Sequence, residues 1–350
     1  MTRGKKRERE YPDASRGSSD AAFADWATWQ LIDPLLPTGG FAHSQGLESA
    51  AHAGLVKGGD ERLKRRGDEE FGWDVLTFAR ECVANAASQS VPFVEAARRV
   101  FFSLRRPVTT GGGISEHAYA YSVAEAAEAF VALDRRLASR LVGNAVAARA
   151  SAATGAALLR AALVAFGKPT TPVRTNDSSQ DEDESSFFSE GLTEALRRAK
   201  GVVTRSEKER GTRLPGAHLA VVFGAVAGSA GFSAKHAARM FCYLTLRDTL
   251  SAATRLNLLG PLAAGAAMRR CAASANACAV EAVDACVRAA DNEEAYSRTL
   301  SRGSSTQKNH AARRERAVLL AMTSRAASSA PLVDIVHAGH DALFARLFNS

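Results

Sequence analysis

An all-α fold is predicted by three observations on this 350-residue sequence. Apolar residues make up 46% but aromatics only 7%, and alanine dominates the apolar set, which favours close-packed helices over sandwiches or barrels. Apolar residues recur at helical spacing over long stretches, and prolines and glycines punctuate them. The expectation is a single compact helical bundle domain over 23–350. A disordered arm at 1–22 precedes it, and two flexible polar insertions fall at 170–213 and 292–316.

The elements follow in order. Residues 1–22 are charged, with Gly and Ser, and bury too little to order themselves. An apolar run at Trp29 stops at Pro34 and Pro37, because proline lacks the N–H a helix needs. Thr38-Gly39-Gly40 then makes a turn, with a positive φ expected at Gly40. Ser44 is placed as the N-cap of the next helix, Glu48 in its first turn near the positive dipole end, and Gly54 as its stop. The unit is helix, rigid turn, helix, with Phe41, His43 and Ser44 at the corner.

Asp60 to Glu70 reads as a charged loop, Trp73 to Ser88 and Val91 to Leu104 as helices, with Pro107 and Gly111-Gly112-Gly113 ending the second. Ala124 to Phe166 is helix-forming throughout, and Gly143 and Gly155 are expected where helices approach closely. In 170–213 an acidic run, Asp181 to Glu184, precedes a basic cluster, with at most a short helix near Leu192 to Lys200. Helix resumes at His218 to Gly228. In Tyr243 to Leu259, Leu246, Leu250 and Ala253 form one stripe, joined by Tyr243 and Asn257. Asp248, Ser251 and Arg255 lie opposite. That helix is either central to the bundle, with its charges satisfied internally, or covered by a partner. Asn292 to Arg316 has no apolar period.

Charge and cysteine content exclude several classes. The formal charge is +8, and two windows carry it: residues 1–10 hold five Lys/Arg against two Glu, and 197–213 hold seven against two. Charge confined to such segments is unlike the basic face of a folded nucleic-acid binder. The five cysteines (Cys82, Cys242, Cys271, Cys278, Cys286) form no CxxC pair, which suits a reducing, cytoplasmic compartment. The basic start, with Lys5-Lys6-Arg7, lacks the apolar stretch of a secretory signal, and no apolar run reaches membrane-spanning length.

Three constellations could carry chemistry. Ala42-His43-Ser44-Gln45-Gly46 approaches the G-x-S-x-G elbow of hydrolases, but an elbow needs a preceding strand, and a helix cap explains Ser44 better. Cys271, Cys278 and Cys286 share one side of a helix but span too far for one zinc ion, so they read as small buried apolar groups. His337 and His340 could share a soft metal, yet two histidines alone hold little, and structural roles are expected. No GxxxxGK[ST] loop occurs, so P-loop nucleotide hydrolysis is not expected of this chain.

The wording of three blocks adds a resemblance. Leu36 to Glu48 (LPTGGFAHSQGLE), Tyr243 to Leu262 (YLTLRDTLSAATRLNLLGPL) and Pro331 to Ser350 (PLVDIVHAGHDALFARLFNS) resemble the urease accessory protein F family, the plant and algal branch most. The family's His-Ala-Pro element is altered here, with Leu219 and Val221 standing where the family's second histidine and its proline would sit. The resemblance implies a non-enzymatic all-α homodimer that supports urease maturation in the cytoplasm. It would join a GTPase accessory protein and a second accessory protein of the D/H type on apo-urease. Nickel and GTP would be held by those partners, with no cofactor, nucleic acid or membrane bound by this chain. The residues it points to are the corner (Gly39, Gly40, His43, Ser44, Glu48) for shape, the polar side of the central block (Arg247, Asp248, Arg255, Asn257) for pairing, and the tail (Phe344, Arg346, Phe348) for partner contact. The rival readings are a helical nucleic-acid binder using its basic segments and a hydrolase using Ser44.

Overall fold

The computed structural model describes residues 25–57, 74–104, 121–167, 188–210, 216–300 and 307–350. Among these the regular structure is helical throughout. The elements are α1 (25–32), α2 (Leu47–His52), α3 (Val75–Gln89), α4 (Val91–Leu104), α5 (Val123–Arg140) and α6 (Ala145–Ala165). They continue as α7 (Glu190–Arg210), α8 (Leu219–Ser229), α9 (Ala234–Arg255), α10 (Pro261–Leu300), α11 (Gln307–Ser324) and α12 (Pro331–Ala338). Asp74, Ser122, Asn144 and Ser233 cap α3, α5, α6 and α9 through side chains that accept first-turn amides, and Ser122 with Glu125 completes a capping box.

The centre of the bundle is α8, in which every residue from Ala220 to Ser229 is buried. It packs most extensively on α4. Sequence explains the closeness: a Cβ on Gly224 or Gly228 would run into the main chain of α4 at Val94 or Arg98. Helices α3, α6 and α9 to α11 surround this pair, and α5 and α7 pack together beside it. The stripe Leu246, Leu250 and Ala253 of α9 is buried as expected, but α9 flanks the centre, Tyr243 is partly exposed, and Asn257 lies beyond the helix.

Four local expectations need correcting. In 170–213, residues 190–210 form the full helix α7, and Leu192, Ala195, Leu196, Ala199 and Val203 bury one face. Arg198 and Lys200 are exposed on the other side, as in an ordinary amphipathic helix. The acidic run lies outside the described residues, as do the 1–22 arm, the 60–70 loop and Gly111-Gly112-Gly113. In 292–316, α10 continues to Leu300 and α11 begins at Gln307. The polar residues there serve inside the fold: Arg99 of α4 donates to Glu294 at 2.8 Å and to buried Glu315 at 2.9 Å. Gly155 does sit against the Ala217–Leu219 main chain, but Gly143 meets nothing and belongs to the α5–α6 connection. Ser44 is not the cap of α2; Gly46, at φ 85°, holds that position.

Cys271 and Cys286 are buried along α10 with Cys278 half-buried between them, and burial pushes the Cys242 and Cys286 thiols up to about 12, far from thiolate reactivity. No helix among the described residues is long and apolar enough to cross a membrane.

Candidate functional site

The three sequence blocks fold into one joint. The corner begins with Gly39, at φ 73°, which starts the short 3-10 turn Gly40–Ala42. The positive φ falls on Gly39, not Gly40. Gly40 is required for a different reason: a Cβ there would come within 2.6 Å of an Asp248 carboxylate oxygen. Phe41 is thereby turned outward, while His43 and Ser44 are buried. Gly54, at φ 71°, ends α2 as expected.

Asp248 of α9 stands behind this turn. The Arg247 guanidinium donates twice to its Oδ1, at 2.9 and 2.8 Å, and reaches the carbonyl of Ile32 at 2.5 Å. Burial raises the Asp248 pKa, with Arg247 and then Arg255 working against that rise. Burial also lowers the Arg255 pKa, against the opposing pull of Asp248. Desolvation outweighs its arginine partners at Asp248, so this carboxylate positions the corner more than it stabilises it. Arg255 donates to the Phe41 carbonyl and lays its guanidinium over the Phe348 ring, 4.2 Å from its centroid. One side chain thus clamps the corner to the terminal block. Asn257, at φ 56°, closes α9 in the left-handed conformation that asparagine tolerates, and is a helix terminator rather than a member of the joint.

The terminal block returns along the corner. Ser44 uses both donors on one acceptor, its N–H at 2.6 Å and its hydroxyl at 2.9 Å from the Ser350 main-chain oxygen. Asn349 N–H donates to the Ala42 carbonyl at 2.8 Å, and His43 Nδ1 shares a 2.5 Å hydrogen bond with the Ser350 hydroxyl. Glu48, 1% exposed, accepts from the Leu347 and Phe348 amides and from His340 Nε2 at 2.8 Å. A carboxylate with three donors is well satisfied away from water. Phe348 is buried, but Phe344 is fully exposed and Leu347 largely so. Arg346 pairs loosely with Asp341 at 3.5 Å, and Asp341 accepts from Arg149 of α6 at 2.6 Å.

Three histidines gather in this joint. Burial lowers the His43 pKa, with His340 adding to the effect. Burial lowers His337 further, to about 4, with His340, His43 and Arg149 contributing. Both are therefore neutral at pH 7. His337 Nε2 and His340 Nδ1 are buried without a hydrogen-bond partner among the described residues. Among those residues no group of three or more His, Cys, Asp and Glu is placed to hold a metal ion. Nor does the corner build a hydrolase elbow, since Ser44 is buried, donates its hydroxyl hydrogen bond to the Ser350 main-chain oxygen, and follows a 3-10 turn instead of a strand.

Ten of the twelve sequence-nominated residues meet in or beside the joint; Asn257 and exposed Phe344 make no contact that builds it. Sequence reasoning missed Glu48 as an acceptor for the tail, and with it His340 and Ser350. The available signal was a lone carboxylate in the small, apolar-rich run Leu47–Ala51, in a chain whose terminal block carries two histidines.

Known proteins share sequence with much of this chain. The family model UreF matches residues 107–272, which include the Asp248 block but neither the corner nor the terminal block. A urease accessory protein F of Arabidopsis thaliana is 30% identical over 247 residues, 71% of this chain and 75% of that protein. One of Oryza sativa subsp. japonica is 30% identical over 239 residues, 68% of this chain and 66% of its own length, just under two thirds. Urease accessory protein 6 of Cryptococcus neoformans var. grubii is 28% identical over 239 residues, 67% of this chain and 71% of that protein.

Proposed function

This chain belongs to the urease accessory protein F family, and from that premise we propose that it is a non-catalytic maturation factor for urease. It acts as a positioning subunit, joining a GTPase accessory protein and a second accessory protein of the D/H type on apo-urease while nickel is delivered. It works as a homodimer in the cytoplasm. The observation that carries this reading is the joint itself. Blocks separated by hundreds of residues converge to hold a corner and a tail in fixed shape. The elements of that joint expose Phe41, Leu332, Ile335, Phe344 and Leu347. Large apolar side chains held out by a hydrogen-bonded support are what a protein partner can bury, at about 1.5–3 kcal/mol for each one fully covered. GTP hydrolysis is assigned to the partner, because this sequence has no phosphate-cradling loop. Nickel is cargo in this scheme.

The test uses the full chain with Phe344→Asp and Leu347→Asp together, co-expressed with apo-urease and the accessory proteins. Helical content should match the parent, while assembly with the accessory partners is lost and urease activation falls at least about tenfold. Full activation by a variant that still co-purifies with its partners would overturn the tail as the docking edge. Activation by the parent chain without any stable complex would overturn the positioning role.

A further inference from the structure

On the side of the bundle built by α5, α7 and α11, helix α5 forms a ridge between two apolar grooves. The groove against α11 has a volume of about 450 Å³ and is floored by Leu133 and Leu319, with Leu320 half exposed at its edge. The groove against α7 has a volume of about 550 Å³, and Glu128 and Ala132 border both. None of these residues belongs to the corner–tail joint.

The charges on the ridge are unequally answered. Glu125 turns to its own N-cap, accepting from the Ser122 amide at 2.9 Å and hydroxyl at 2.8 Å. Glu128 meets Arg316 at a loose 3.6 Å, both exposed. Arg135 and Arg136 have no ion pair or side-chain hydrogen bond among the described residues, and Arg136 Nε is shut away from water with no acceptor. Burial, and then Arg140, lower the Arg136 pKa, with no carboxylate counteracting. An apolar trough beside unanswered guanidinium groups is complementary to apolar side chains accompanied by carboxylates.

The walls decide the partner's backbone. Both are helices whose main-chain groups are used internally, so no sheet edge is offered for strand addition. A trough between two packed helices admits the side-chain ridge of a third.

We propose that the α5–α11 groove is a docking surface for an acidic amphipathic helix of a partner protein. The partner's apolar stripe fills the groove over Leu319 and Leu320, and its Asp or Glu residues meet Arg136 in the groove and Arg135 across the α5 ridge, on the α7 side. The surface is separate from the corner–tail edge, so a partner held here leaves that edge free.

The probes are two fluorescent amphipathic peptides of about 18 residues, roughly five turns, one built on Leu and Glu and the other on Leu and Lys. Each is titrated with the full chain. The acidic peptide should bind more tightly by about tenfold or more, and Leu320→Asp should abolish that preference. Arg135→Glu with Arg136→Glu should reverse it, so that the basic peptide becomes the better ligand, a gain that misfolding cannot produce. Equal binding of the two peptides, no binding of the acidic one, or unchanged selectivity in the charge-reversed variant would each overturn the proposal.

Discussion

The α4–α8 seam and the corner–tail joint are both buried, yet they are held by opposite means. The seam is apolar and shaped by two glycines that let one helix lie on another's main chain. The joint is built from a buried glutamate, an aspartate, histidines and serines, braced by Arg247 and the exposed Arg255. Directed hydrogen bonds hold it and leave His337 Nε2 and His340 Nδ1 without a partner among the described residues. Close packing is gained wherever surfaces fit and depends little on pH. A buried polar network holds only while every member has its partner in the right protonation state. The seam should therefore behave as the fixed frame and the joint as a unit that can open by itself.

The sharpest way to break the comparison is Gly224→Val. Its added carbons meet main chain, which cannot rotate aside, so a loss of about 3 kcal/mol or more is expected. The urea midpoint measures it, and a variant as stable as the parent would show that the seam has slack.

Acid should act on the joint next most strongly. His337 and His43 titrate below their unfolded value, so the folded joint resists protonation that the unfolded chain accepts. Their contribution is complete above about pH 6.5 and shrinks as pH falls towards about 4, where His337 titrates in the fold. For His337 the loss is about 3 kcal/mol. Hydrogen exchange should show amides 343–350 losing protection across that window while those of α8 keep theirs. Parallel loss in both regions would mean that joint and seam open as one.

Glu48→Gln should come third, at about 2 kcal/mol, because the amide's NH2 faces donors where a carboxylate oxygen had accepted. The readout is again exchange confined to the tail. Phe344→Ser should be smallest, within about 0.5 kcal/mol, since the ring is wholly exposed. A larger loss would place Phe344 in the support rather than on the docking edge.

The frame was legible because its signals are local: helical spacing in Val91–Leu104, prolines at the end of α1, and Gly39 and Gly54 at turns. Helix α7 was hidden because Leu192, Ala195, Leu196, Ala199 and Val203 lie among basic residues, and composition masked the period. The joint was half legible. Its residues stood out in the blocks, but their partners did not, since Ser44 looks like a cap until Ser350 is brought beside it. The same limit explains Gly40, whose constraint comes from Asp248 and not from its own backbone angles. The terminal block also divides in a way that sequence could not show. Ending the chain after Gly339 would remove both the buried Phe348 and the exposed Phe344, so it cannot separate support from docking.

Ser44 and Ser350 touch across 306 residues of chain, and that span has a consequence in time. A ribosome adding about 5–20 residues per second needs roughly 15–60 seconds to travel it. Throughout that interval Glu48 has none of its three donors and the Ser44 amide has no acceptor. The corner of a nascent molecule is an unfinished surface, open to water or to any protein that can supply donors in the tail's place. Closure of the joint therefore waits until the block through Ser350 has been made, and the edge carrying Phe344 and Leu347 takes its final form only then.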